Sequence, residues 1–115
     1  PRGKPLFTGL DTRWFSLSHS GGFALCALSR APVGVDVELL RPPPRRLAGE
    51  MGAEEFFRLW TAKEAAVKRR GLGIAALRRQ EPDGQGRCLE DFLPGCVVTV
   101  CPADGPVRTV SIASV

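Results

Sequence analysis

Three carboxylates stand where their spacing suggests work on a cation. Asp36 and Glu38 lie two residues apart in Val33-Gly34-Val35-Asp36-Val37-Glu38, and Glu64 lies in Leu59-Trp60-Thr61-Ala62-Lys63-Glu64-Ala65-Ala66-Val67-Lys68. As a strand, the first segment puts Gly34, Asp36 and Glu38 on one face and its valines on the other, with the two carboxylates roughly 6.5–7 Å apart along the strand. Left bare, such a pair repels and each member tends to take up a proton. A hard divalent cation removes that conflict, and carboxylate oxygens with water suit Mg²⁺, with Mn²⁺ as a substitute. The alternative for this segment is an edge strand whose acidic face is simply solvated.

The second segment reads as an amphipathic helix. Phe56, Phe57, Trp60 and Val67 recur at three- and four-residue steps. Glu64 falls one turn after Trp60 and one turn before Lys68, on the rim of the aromatic stripe. The plain alternative is a Glu64–Lys68 pair, which contributes only about 0.2–0.5 kcal/mol.

The elements that must carry these groups follow from alternation and punctuation. Trp14 to Ser20 alternates, with Phe15, Leu17 and His19 on one parity and Ser16, Ser18 and Ser20 on the other. Gly21-Gly22 turns the chain into an apolar strand from Phe23 to Leu28, which makes a hairpin. A histidine at the end of such a strand is, taken alone, a structural group. Ala31-Pro32 breaks the chain before the acidic strand. Arg41 to Arg46 is a stiff, proline-rich loop, and Leu47 to Met51 is a short helical turn. Glu54 and Glu55 suit the first turn of the long helix; Lys68, Arg69 and Arg70 suit its last, and Gly71 is a helix stop. Cys96 to Cys101 and Val107 to Ala113 are the expected last strands, with a weaker strand or turn between Cys88 and Leu93. The expected fold class is α+β, a mainly antiparallel sheet packed against one long helix.

Composition narrows the function. The 115 residues suffice for one domain with a core. Pro1 is not a methionine and the only methionine is Met51, so the chain is read as a piece of a longer protein. No apolar run approaches the roughly eighteen residues of a spanning helix, and no signal-peptide pattern is present. The four cysteines form no CxxC pair, and Cys26 and Cys101 sit in apolar runs as small buried hydrophobes. Reduced thiols and a cytoplasmic setting are therefore expected. The formal charge of +4 favours acidic or phosphorylated partners. Nucleic acid is disfavoured, because no aromatics interleave with the basic clusters.

Taken together, Gly3-Lys4-Pro5, Phe15-Ser16-Leu17-Ser18-His19-Ser20-Gly21, the acidic strand and the Trp60–Lys68 segment resemble the 4′-phosphopantetheinyl transferases, specifically the surfactin-synthetase-activating type. The match runs from Gly3 to about Gly73. The resemblance implies transfer of the phosphopantetheine arm of coenzyme A to a serine of an acyl or peptidyl carrier protein, releasing 3′,5′-ADP. It implies Asp36, Glu38 and Glu64 as Mg²⁺ ligands, and Lys63 and Lys68 beside the coenzyme A phosphates. Ser18 and His19 fall at the 3′-phosphate end, and Gly3 and Lys4 border the cofactor. Glu64 is the candidate base for the carrier serine, directly or through a water, and Lys68 stabilises the departing 3′,5′-ADP.

Members of this type have two similar halves with the site between them. Residues 1–115 are expected to form one such domain without its N-terminal half, pairing with that half, another chain or a copy of itself across an apolar flank. Only 21 residues separate Glu38 from Trp60, fewer than the family pattern has. An acidic carrier protein would be steered by Arg41, Arg45, Arg46, Arg69 and Arg70. The alternative function is an inactive half-domain that binds carrier protein or a partner chain without turnover.

Overall fold

The alternation in Trp14–Ser20 is realised as strand β1, which turns at Gly21-Gly22 into β2, Phe23–Ser29. They pair antiparallel, with Leu17 opposite Cys26 and Ser18 opposite Leu25. The acidic segment forms β3, Gly34–Leu39. A one-turn helix α1, Arg45–Ala48, precedes the long helix α2, Ala53–Arg70. Two strands close the order: β4, Arg87–Cys88, and β5, Cys96–Cys101. This computed structural model describes residues 14–71 and 86–102. The expected strand Val107–Ala113, and Gly3 and Lys4, lie outside the described residues.

The architecture is α+β with antiparallel sheets. β5 is central in a three-stranded sheet of order β3-β5-β4, and β1-β2 is a separate hairpin. In the larger sheet Gly34 faces Cys101, Asp36 faces Thr99 and Glu38 faces Val97. Helix α2 lies over that face with its residues in step with β5. Phe57 packs in one cluster with Val97, the Thr61 and Thr99 hydroxyls meet at 2.7 Å, and Ala65 packs with Cys101. Two strand residues rise about 6.6–6.8 Å and four helix residues about 6 Å, so the two periods stay matched over these three contacts. Phe57 is 1% exposed; burying such a side chain contributes roughly 1.5–3 kcal/mol. The Thr61 hydroxyl donates to the Phe57 carbonyl at 2.7 Å, so the Thr99 hydroxyl is the donor between the two threonines.

The opposite face of the sheet buries Val35, Val37 and Val98 against Leu25 and Ala27 of the hairpin. Gly71 ends α2 in the left-handed region at φ 73°, with its N–H returned to the Lys68 carbonyl. Glycine adopts that region without steric cost.

Three details differ from the sequence expectation. The sheet is split, because β1 reaches β3 through serine hydroxyls and not through a backbone ladder. The short helix starts at Arg45, directly after Pro44, and not at Leu47; Ala48 is buried with Phe56 and Phe57, and that contact selects the turn. Cys101 is buried as expected, but Cys26 is exposed. It lies opposite Leu17 on the outer face of the hairpin, where Leu17 and Leu28 are 56% and 52% exposed. An apolar run in a hairpin marks a strand without saying which face is covered. All four cysteines are free thiols, and burial pushes those of Cys88 and Cys96 above the ordinary thiol value. No described helix is long and apolar enough to cross a membrane.

Candidate metal centre

Asp36, Glu38 and Glu64 come together. One carboxylate oxygen from each lies within 4.8 Å of the others. Roughly 4.2 Å separates oxygens on opposite sides of an octahedral Mg²⁺, twice the 2.1 Å bond, so the cluster is of the right scale for one ion.

The strand's period places Asp36 and Glu38 on the face beneath α2, and Gly34 allows the helix to come down onto that face. A Cβ at position 34 would overlap the Ala65 carbonyl and stand 2.7 Å from the Arg69 amide nitrogen. A side chain there would lift the helix turn that carries Glu64 and Lys68.

Asp36 is 2% exposed, and its two oxygens differ. Oδ1 accepts the Ser18 hydroxyl at 3.1 Å and the Lys68 ammonium at 3.2 Å. Oδ2 is buried with no hydrogen-bond partner among the described residues. Burial first, and then the neighbouring Glu64 carboxylate, push the Asp36 carboxyl up to about 8, against the opposing pull of Lys68. An acid so destabilised as an anion, with one oxygen unsatisfied and two further carboxylates beside it, has the donor chemistry of a hard-cation site.

Glu38 is held on its other side. Arg41 donates to Glu38 Oε1 at 3.1 Å and to the Leu39 carbonyl at 2.7 Å, and its guanidinium lies 4.5 Å from the Phe57 ring centroid. This pair is partly solvated and adds little stability, but it orients the carboxylate. Arg41, read from sequence as a docking residue, is thus part of the rim of the cluster. Arginine three residues after a glutamate is too common a pattern to have marked it.

Lys68 Nζ also donates to the carbonyls of Leu17 and Val35, each at 3.1 Å, so one ammonium ties α2 to β1, β3 and Asp36. Lys63 is half-buried on the same helix and makes no ion pair among the described residues. Ser18 and His19 are not brought together: strand alternation turns Ser18 inward to Asp36 and leaves His19 exposed on the outer face of the hairpin. A separate groove lined by Leu40, Arg58, Cys88 and Glu90 shares no residue with the cluster, and its Arg58 is closed off by Glu54 and Glu90.

No family model matches the chain. Individual proteins do. It is 34% identical over 118 aligned residues to psf-1 of Bacillus pumilus, a 4′-phosphopantetheinyl transferase, covering 84% of this chain and 51% of psf-1. The chain is a homologue of the 4′-phosphopantetheinyl transferases. It is also 42% identical over 89 residues to the transferase AcpT of Salmonella typhi, covering 61% of this chain and 46% of AcpT. With the transferase Sfp of Bacillus subtilis it shares 29% over 89 residues, covering 64% of this chain and 40% of Sfp. The chain spans about half the length of the curated relatives it matches. Homology to 4′-phosphopantetheinyl transferases thus stands beside an acidic cluster formed from three separated positions of the chain.

Proposed function

We propose that this chain carries the Mg²⁺-binding half of a 4′-phosphopantetheinyl transferase, which moves the phosphopantetheine arm of coenzyme A onto a serine of an acyl or peptidyl carrier protein. The observation that carries the reading is the convergence of Asp36, Glu38 and Glu64 within 4.8 Å, with the Lys68 ammonium 3.2 Å from Asp36. Asp36 Oδ2, Glu38 and Glu64 would hold the ion. Mg²⁺ bound there supplies charge neutralisation for a diphosphate.

The residues divide the remaining work. Glu64 takes the proton of the carrier serine as its Oγ–P bond forms. The P–O bond to 3′,5′-ADP breaks, and the leaving oxygen departs with the electron pair. Lys68 sets positive charge against that oxygen, and Lys63 meets a phosphate of coenzyme A. His19, with Gly3 and Lys4, is kept as a contact to the rest of the cofactor. The exposed leucines of the hairpin, Leu17 and Leu28, form the flank on which a second half packs.

The test is mass spectrometry of apo carrier protein incubated with coenzyme A and Mg²⁺, run with the 115-residue chain and with the natural full-length protein. A phosphopantetheine mass gain with the full-length protein is expected; its absence there overturns the transferase reading and leaves a carrier-binding half-domain. Arg45 and Arg46 are exposed at the start of α1 and are proposed to steer an acidic carrier. Its apparent affinity should then fall steeply with salt, whereas salt-insensitive binding would remove them from docking.

A further inference from the structure

β1 runs alongside β3 in the same direction, and the two are joined by side chains. The hydroxyls of Ser16, Ser18 and Ser20 accept the backbone N–H groups of Val35, Val37 and Leu39 at 3.1, 3.0 and 2.9 Å. The two-residue step on both strands keeps the three bonds in register. Each hydroxyl that accepts an N–H still has its own proton to place. Ser18 places it on Asp36 Oδ1, across 3.1 Å, in a site where Ser18 is 7% and Asp36 2% exposed.

Ser18 is therefore fixed at both ends, by the Val37 amide and by the carboxylate. An aspartate's terminal torsion is broad and roughly two-fold, so either oxygen can present itself unless something holds one of them. Ser18 and Lys68 hold Oδ1. Among the described residues, Oδ2 is the oxygen left buried without a hydrogen-bond partner.

We infer that Ser18 is a positioning residue for the Asp36 carboxylate: it anchors Oδ1 and so keeps Oδ2 available as a cation ligand. The inference rests on the metal site of the proposed function. It departs from the role that the resemblance implies for this serine, since a hydroxyl committed to Asp36 and Val37 is not left to a cofactor phosphate. Groups that orient a ligand from behind typically change metal affinity 10–100-fold when lost.

The test is Mn²⁺ binding, followed by electron paramagnetic resonance of the free ion, in the full-length protein without coenzyme A. Ser18→Ala should raise the Mn²⁺ dissociation constant by about 10–100-fold. Ser16→Ala is the control, because it removes the same kind of strand-bridging bond without touching Asp36; its Mn²⁺ affinity should stay close to that of the wild type. Should Ser18→Ala not fold, Ser18→Thr against Ser18→Val isolates the hydroxyl at matched volume, and threonine should bind Mn²⁺ at least tenfold more tightly. Equal losses in Ser16→Ala and Ser18→Ala, or equal binding by the threonine and valine variants, would overturn the inference alone. A wild type that binds no Mn²⁺ overturns the metal site and the inference with it.

Discussion

Gly34 lies directly beneath the Ala65 carbonyl of the long helix, with no room for a Cβ between them. This backbone-on-backbone contact sets the height of α2 above β3, and so the distance between Glu64 and Asp36. Gly34→Ala should destabilise the protein by at least the roughly 1–3 kcal/mol of an overpacked core. It should also weaken Mn²⁺ binding although it removes no ligand. Urea unfolding together with a Mn²⁺ titration checks both, and a variant with unchanged stability would show that the helix can shift freely.

In the proposed reaction Glu64 is both the cation ligand that the helix delivers and the base. Glu64→Gln should lower turnover about 10²–10⁴-fold, the usual range for a lost general base. Coenzyme A-dependent mass gain on carrier protein, timed at saturating Mg²⁺, measures this. Near-normal turnover would remove Glu64 from both roles.

The raised Asp36 carboxyl makes a signed statement about stability. In the unfolded chain this group ionises near 3.8, whereas the folded chain keeps its proton until about pH 8. Between those values the unfolded state binds fewer protons, so the metal-free protein should lose stability as pH rises from about 4 to about 8. Asp36→Asn should flatten that fall, and saturating Mg²⁺ should offset it at the upper end. Urea unfolding across this range, with chelator and with Mg²⁺, decides the matter; an Asp36→Asn slope equal to that of the wild type would contradict it.

Thr61 and Thr99 form a buried hydroxyl pair at the centre of the helix–sheet contact, 2.7 Å apart. Thr61→Val leaves the Thr99 hydroxyl without its acceptor and should cost about 1–3 kcal/mol. Adding Thr99→Val should recover part of that loss, because no polar group is then left unpaired. A double-mutant cycle on unfolding free energy reads the coupling, and strictly additive losses would mean that the two hydroxyls act independently.

Local periodicity carried much of this protein in plain view. The two-residue period of the acidic strand placed Asp36 and Glu38 together, the helical period placed Glu64 one turn from Lys68, and Gly71 marked where the helix ends. These are properties of a few neighbouring residues, so they can be read without knowing what packs where. Which faces meet was decided only in three dimensions. The helix settles over Gly34, which brings Glu64 to Asp36. The hairpin turns three serines onto β3, which commits Ser18 to Asp36 and leaves Cys26 and Leu17 outside. Arg41 reaches back to Glu38 for the same reason. Such pairings depend on burial shared between distant segments, and no single stretch of sequence contains that information.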